Sequence, residues 1–333
     1  MELEDIPTDE EVPTAKNVKK AAKAFGADFV CIGSIDRWDS APKENDPRSI
    51  MPRCKSVICL GFRIHRGAQN AVREGTYYSG YTFSGFNDLN EAVAPLVQHR
   101  LASYLEDFGY ETIALAHHSN KLGDGSGEAK QNPDGTFKPK PEVFINYRIS
   151  AVLCGAGEIG YSRLLLTPQF GPCQRIYFLL TEVELEPDPI FEGKLCDGCK
   201  LCVRKCPAKA LSLTETDDFE IPGICNIHRS SLDMGKCAMS HGGGAFSPFA
   251  PPEVRAYAEN IANGTRTTCA DGTPRPSPEE ISKNVGEKVP YAVIARKNWG
   301  IPAATCAECQ RACLEHLDKR GRLSLKFRHK YGE

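Results

Sequence analysis

Apolar positions in the first 190 residues repeat with two different periods, and the alternation between them predicts a mixture of helices and strands. Val18 to Phe25 follows helical spacing and stops at Gly26, a residue suited to a helix C-terminus. Asp28 to Ile35 and Ser56 to Phe62 are short apolar runs that read as buried strands. Leu89, Val93, Leu96, Val97, Leu101, Tyr104, Leu105 and Phe108 recur three and four residues apart, which predicts a long helix ended by Gly109 and started or kinked by Pro95. Thr112 to Ala116 reads as a strand and Phe144 to Leu153 as a helix, followed by strands over Arg163 to Thr167 and Arg175 to Thr181. Lys121 to Lys140 is rich in Gly, Pro, Asn and charge and predicts a long loop, of the kind that is either functional or disordered.

With 333 residues, the chain has room for one large domain and a smaller appendage. A formal net charge of −2 provides no global basic field for nucleic acid. No apolar run approaches the ~18 residues of a membrane span. The opening Met-Glu-Leu-Glu-Asp has neither a basic nor an apolar leader region and no twin arginine. The expected location is therefore the cytoplasm. Residues 1–14 form an acidic tail, and Lys319 to Lys330 is basic; both read as solvated segments.

Fifteen cysteines change this picture, because in a reducing compartment clustered cysteines are better explained as metal ligands than as disulfides. Their density rises sharply at Cys196. That places a boundary near residue 190 and divides the chain into the tail, a domain over 15–189 and a second over 190–333. The second carries a Gly-, Pro- and Ser-rich insertion at about 238–290.

The strongest motif is Cys196-Asp-Gly-Cys199-Lys-Leu-Cys202-Val-Arg-Lys-Cys206-Pro207. This is the C-x2-C-x2-C-x3-C-P run of bacterial ferredoxins, in which three thiolates wrap one cubane and the fourth ligates the other cluster. Downstream, Cys306-Ala-Glu-Cys309-Gln-Arg-Ala-Cys313 supplies the partners. By the exchange rule, one [4Fe–4S] cluster takes Cys196, Cys199, Cys202 and Cys313. The other takes Cys206, Cys306, Cys309 and Cys225, with Cys237 the rival for the last place because it lies in the same interval. Cys225 is preferred as the nearer to Cys206. Zinc is the competing reading, but successive two-residue spacings closed by Cys-Pro are unusual for it. Cys31, Cys54, Cys59, Cys154, Cys173 and Cys269 are scattered and read as ordinary core thiols.

A ferredoxin needs far less chain than the roughly 190 residues that precede these motifs, so a redox acceptor site is expected there. Two glycine-bearing stretches mark it, Cys154-Gly-Ala-Gly-Glu-Ile-Gly160 and Leu166-Thr-Pro-Gln-Phe-Gly-Pro172. Glycine at this density permits close approach to a flat or bulky ligand. Gly155, Gly157, Gly160, Thr167, Pro168, Phe170 and Gly171 are the candidate cofactor-binding residues. A dinucleotide fingerprint is excluded because the glycines follow a helix-like run rather than a strand.

From Gly157 to Ala210 the chain resembles the corrinoid-dependent reductive dehalogenases. These carry a Gly-Glu-Ile-Gly turn, a Leu-Leu-Ile-Thr-Pro-Glu-Phe-Gly-Pro run and the same cysteine motif. Ala21-Ala22-Lys23 to Trp38, Lys55-Ser-Val-Ile58 and Tyr77 to Phe86 are also similar, as is the cysteine order of the related epoxyqueuosine reductases. Gln169 replaces the usual Glu, and Tyr161-Ser-Arg163 replaces a more common Arg-Asn-Gly. The twin-arginine signal of the respiratory members is absent. So is the helical-repeat extension that serves the transfer-RNA substrate of the epoxyqueuosine branch.

The resemblance implies an α/β (α+β) fold: a nitroreductase-like three-layer domain holding base-off cobalamin, followed by a two-cluster ferredoxin-like domain. It implies electrons passing from two [4Fe–4S] clusters to cobalamin to cleave a carbon–halogen or similar bond. The donor would be a low-potential protein such as ferredoxin or flavodoxin. Tyr147 and Glu142 are the implied proton-donor candidates, and Arg148 the candidate to stabilise an anionic leaving group. His117 and His118 lie at a strand end and read as loop positions. The competing readings are a core tyrosine, a solvated glutamate and an arginine that simply pairs with an acid. The alternative function is a non-catalytic iron–sulfur electron-transfer or corrinoid-activating protein, told apart by whether a proton donor faces the cavity.

Overall fold

An eight-residue strand with no polar side chain from Val57 to Phe62 must be covered on both faces, and that requirement organises the fold. The computed structural model describes residues 12–77, 80–115, 145–233, 236–237, 240 and 306–333. Strands β1 (Phe29–Ser34), β2 (Ser56–Arg63), β3 (Thr112–Ala114) and β6 (Gln174–Thr181) form an antiparallel sheet in the order β1-β2-β6-β3. The register sets Cys31 opposite Cys59 and Cys59 opposite Phe178.

Strand side chains alternate between the two faces. Ile32, Ile58, Leu60, Tyr177 and Leu179 face helices α1 (Ala15–Phe25) and α3 (Ala94–Glu106), which cover them with Val18, Ala22, Val97 and Leu101. Phe29, Val57, Cys59, Phe178 and Leu180 face α4 (Tyr147–Leu153), joined there by Ile221 and Ile227. The sheet is therefore the middle of three layers in a mixed α/β architecture.

Local chemistry sets the helix ends. The Thr14 hydroxyl accepts from the Asn17 N–H at 3.3 Å at the start of α1. The Asn146 side chain does the same for Ile149 at 3.2 Å in α4. Helix α2 (Arg66–Glu74) follows β2. The periodic run from Leu89 to Phe108 is not one α-helix: π-helical turns span Phe83–Asn87 and Leu89–Val93, and the α-helical part begins at Ala94. Pro95, lacking an N–H, is tolerated only in that first turn.

Beyond α4 the chain forms the small hairpin β4 (Glu158–Ile159) and β5 (Leu165–Leu166). The strand expected over Arg163 to Thr167 shrinks to β5 because Arg163 turns the chain with φ 68°. After β6 come α5 (Leu201–Arg204) and β7 (Leu211–Thr216), then β8 (Phe219–Ile221), β9 (Cys225–Ile227) and β10 (Ser230–Leu232). Helix α6 (Glu308–Lys319) packs on α5. Leu314, Leu317, Leu323 and Tyr331 complete the core under α1 and α3, so the C-terminal segment shares the core of the sheet. The predicted loop over Lys121 to Lys140 and nearly all of the predicted insertion lie outside the described residues.

The β4–β5 hairpin depends on a missing side chain. A Cβ on Gly157 would sit 1.9 Å from the Leu166 carbonyl oxygen, which is backbone and cannot swing away. Gly157→Ala is expected to destabilise the protein by about 2 kcal/mol or more through forced backbone displacement. Gly67→Ala, at an exposed position of α2 with open space around it, is expected to gain up to about 1 kcal/mol. Melting temperatures of the two variants, measured side by side, check the pair; an unchanged value for Gly157→Ala would contradict the packing described.

Candidate functional site

Two groups of four thiols form where α6 meets the loop that carries the first cysteine motif. Each cysteine loop is built around a left-handed turn: Gly198 and Lys200 have φ 71° and 55°, and Ala307 has φ 47°. Such a conformation costs a non-glycine residue roughly 1–2 kcal/mol and persists only where its surroundings fix it. Here the turns launch α5 and α6 directly from the cysteine loops. The Glu158 carboxylate holds the first loop by accepting from the N–H groups of Leu195 at 2.7 Å and Cys196 at 2.5 Å. Arg204 donates to the Cys199 carbonyl.

The first group comprises Cys196, Cys199, Cys202 and Cys313, which line one small cavity of about 20 Å³ with Gly160, Tyr161 and His316. The Tyr161 N–H donates to Cys196 Sγ at 3.4 Å. Toward solvent, the exposed Asp197 closes this group. Its carboxylate lies 2.9 Å from His316 Nε2, accepts from Arg320 at 3.1 Å and accepts from the Cys199 N–H at 3.2 Å. Burial opposes its charge, but these partners prevail and hold its pKa at about 2.

The second group comprises Cys206, Cys237, Cys306 and Cys309, which share one wall of a cavity of about 420 Å³. Cys237 is pushed up to about 11 by burial and by the neighbouring Cys306 and Cys206. Cys225, the residue expected in this place, is raised by burial alone, with no thiol beside it. It lies on β9, packed against the core under α4, and lines neither cavity. Cys225 is nearer to Cys206 along the chain, but the β8–β9 hairpin carries it to the other core. The β10 strand returns the chain to β7 and delivers Cys237.

The spacing of the thiols bears on what they can hold. Among the described residues, one trio of possible ligands has all donor atoms within 4.8 Å of one another: Asp197, Cys199 and His316. Three thiols of either group therefore do not come that close together. A single tetrahedral zinc with ~2.3 Å bonds would bring them to within ~3.8 Å. A larger inorganic core fits the thiols' spacing better than one ion does.

The large cavity sits within the ~300–1,000 Å³ range of small-molecule sites. Leu164, Leu165, Ile176 and Leu211 give it apolar walls, and Tyr147, Arg148, Ser162, Gln174 and Arg175 supply polar groups. The Tyr147 ring packs edge-on against Phe178, and its hydroxyl lies 3.4 Å from the Leu115 carbonyl. Burial pushes its pKa above the ordinary tyrosine value, so it keeps its proton. Arg148 donates to the Arg163 carbonyl at 2.9 Å. Glu142, His117 and His118 lie outside the described residues.

The glycines serve the chain itself. Gly155, at φ 83°, has no room for a Cβ against the Pro189 carbonyl, and Gly157 has none against Leu166. Thr167, Pro168, Phe170 and Gly171 form a tight turn in which the Thr167 hydroxyl donates to Gln174 and accepts from the Phe170 N–H. None of these, nor Gly160, lines the large cavity; Gly160 lines the small one. The residues that do line it, Ser162, Gln174 and Arg175, flank the glycine stretches and were not singled out by the sequence.

No family model matches the chain. A tetrachloroethene reductive dehalogenase of Dehalobacter restrictus is 36% identical over 96 residues, 26% of this chain and 17% of the relative. Another from Sulfurospirillum multivorans is 40% identical over 65 residues, 19% of this chain and 13% of its own. The chain thus spans only a small part of the curated relatives it matches. Among solved structures, a catabolic reductive dehalogenase superposes with a TM-score of 0.51 at 14% identity, over 77% of this chain and 35% of that one. An epoxyqueuosine reductase from Streptococcus thermophilus superposes with a TM-score of 0.43 at 14% identity, over 90% of this chain and 79% of its own. No helix among the described residues is long and apolar enough to cross a membrane. Eight thiols thus gather in two groups beside a cavity, in a chain that is similar over part of its length to reductive dehalogenases in sequence and superposes on a solved reductive dehalogenase in fold.

Proposed function

We propose that the protein is a cytoplasmic, corrinoid-dependent iron–sulfur reductase that cleaves a carbon–halogen or similar bond. In this reading residues 15–189 form the nitroreductase-like, corrinoid-holding part and residues 190–333 the ferredoxin-like part. Cys196, Cys199, Cys202 and Cys313 would hold one [4Fe–4S] cluster, and Cys206, Cys237, Cys306 and Cys309 the other. The observation that carries the proposal is the shared cavity: the second thiol group and Tyr147 line the same space. A purely electron-carrying protein has no need of a protonated tyrosine there.

The corrinoid would supply low-potential cobalt chemistry toward the bond to be broken. The chain's own residues do the rest. The two thiol groups would hold the clusters through which two electrons pass, one at a time, from a low-potential donor such as ferredoxin or flavodoxin. Tyr147 would supply one proton, so that hydrogen replaces the leaving group, which departs as an anion. Its raised pKa keeps that proton in place until it is needed. Arg148 and Arg175 give the cavity positive charge for an anion formed or bound there. Leu164, Leu165 and Ile176 keep the walls apolar and limit water. Ser162 supports the presence of a polar ligand: its Oγ is buried with no hydrogen-bond partner among the described residues.

Two measurements test this. Cys237→Ala is expected to lower iron content by about half, one of two clusters being lost, while Cys225→Ala keeps full iron. Iron and sulfide assays after anaerobic purification decide it, and the reverse result would reinstate Cys225 as the ligand. Tyr147→Phe is expected to cut turnover by about 10² or more, with corrinoid still bound, since general acid catalysis is typically worth ~10² to 10⁴. Undiminished turnover of a halogenated substrate by that variant would remove Tyr147 from the reaction.

A further inference from the structure

The chain as a whole carries a formal charge of −2, yet that charge is unevenly placed. The loop over 192–205 and the end of α6 with the turn after it, 315–326, together hold eight Lys or Arg against four Asp or Glu, a formal +4. The fold brings these two segments together around the first thiol group. Arg320 donates to the Leu195 carbonyl at 3.2 Å, and Lys200 lines the small cavity beside Cys196, Cys199 and Cys313. The basic stretch Lys319 to Lys330, read from the sequence as a solvated segment, is tied down here. Tyr331 is fully buried, Lys330 Nζ donates to the Asp318 carbonyl at 3.0 Å, and Lys326 Nζ donates to the Gly321 carbonyl at 3.1 Å. Its cations are therefore held at fixed places on the surface rather than spread along a loose tail.

The acids of this face are mostly paired, and many of its cations are not. Asp197 is taken up by His316 and Arg320, Glu315 by Lys319, and Asp318 by Arg66. Lys200, Arg204 and Lys326 donate only to backbone carbonyls. The exposed Lys194, Lys205 and Arg322 have no carboxylate partner among the described residues. The tip of the cysteine loop is open: Gly198 is exposed, with no atom within 4 Å of the place a Cβ would take. Leu213, whose carbonyl accepts from Lys200 at 2.9 Å, is 49% exposed. An apolar side chain bordered by charge has the anatomy of a small interface. Unpaired charges of one sign around a site steer partners of the other sign toward it. We infer that this face docks the acidic surface of a small one-electron carrier protein. The inference rests on the proposed function for the cluster at the first thiol group, and adds where its electron donor binds and by what chemistry. On docking, the carrier is oxidised by one electron and the cluster reduced by one; no bond forms or breaks and no proton moves.

The test uses the full chain with its clusters reconstituted anaerobically, and a reduced plant-type [2Fe–2S] ferredoxin, an acidic protein, as the probe. The second-order rate at which the chain oxidises this ferredoxin is expected to fall about tenfold or more from low to high salt, as steered association does. Lys194→Glu, Lys205→Glu and Arg322→Glu, combined, should lower the low-salt rate by about tenfold or more. These three side chains hold no other part of the described structure, so iron content should not change. Reduced methyl viologen, a cation, should reduce the variant no more slowly. A matched variant, Lys16→Glu, Lys43→Glu and Lys55→Glu, makes the same change of net charge at exposed positions on α1 and ahead of β2, and should keep most of the ferredoxin rate. The inference is overturned if ferredoxin oxidation ignores salt, if the two triple variants lose rate equally, or if the first slows viologen as much as ferredoxin. It is overturned equally if that variant loses affinity for RNA or for phosphatidylserine vesicles while its ferredoxin rate holds. Should the triple variant not fold, Lys205→Glu alone and the salt profile of the unmutated chain decide. A chain that takes up no cluster overturns the proposed function instead, and calorimetric titration of it with ferredoxin at two salt concentrations still judges the docking face.

Discussion

Everything functional in this protein depends on helix α6 docking against the loop that carries the first cysteine motif. That one contact places Cys313 among Cys196, Cys199 and Cys202, and places Cys306 and Cys309 beside Cys206. It is held at both ends by buried polar chemistry. Gln310 donates to the Pro172 carbonyl at 2.7 Å and accepts from Gln69 at 3.3 Å, tying the start of α6 to α2 and to the edge of the cavity. At the far end, Asp318 pairs with Arg66 and accepts from the Tyr331 N–H at 2.7 Å. Buried ion pairs add little net stability but penalise any arrangement that breaks them. Their value here lies in fixing one register of α6 and hence one partition of the thiols.

Under the proposed function, that partition would link cofactor binding to folding. Cys202, Cys237, Cys306, Cys309 and Cys313 are all raised, by burial first and, in all but Cys306, by neighbouring thiols next, so without a metal they are held neutral and crowded. A cation core would remove those protons and reverse the repulsion. Leu314 and Leu317 of α6 also belong to the core under α1 and α3. Perturbation of the thiol groups is therefore communicated to the sheet.

Much of this was legible in the sequence, and the parts that were not share a cause. The central strands came from apolar runs, and β2, β6 and α1 lie close to where periodicity places them. Three thiols of the first group sit within seven residues of one another, so local spacing determined them. Cys313 followed from a rule about exchange between motifs. The fourth thiol of the second group had no such rule, and nearness along the chain chose Cys225 over Cys237 although the β8–β9 hairpin separates the former from Cys206 in space. The glycines offered as cofactor-binding residues do not line the large cavity. Density of glycine reports that something comes close to the backbone, and sequence cannot say whether that is a ligand or, as at Gly157 and Gly155, the carbonyls of Leu166 and Pro189.

The two thiol groups face different surroundings, and this gives the proposed electron path a direction. The first group is bounded on its outer side by exposed Asp197 and Gly198 and by the Asp197–His316–Arg320 ion pairs, which join α6 to the loop across 119 residues of sequence. The second opens on the apolar cavity with Tyr147 and Arg148. Ser162 lines both cavities and so stands between them. In the proposed function, electrons arriving from a protein donor would meet the first group nearest the surface, and reduction chemistry would take place at the second, beside apolar walls and a tyrosine whose raised pKa holds its proton. The Glu158 carboxylate that anchors Cys196 and the Gly157 contact that closes the β4–β5 hairpin lie next to each other in sequence, so the same turn that orders the outer thiols also builds the wall of the inner cavity.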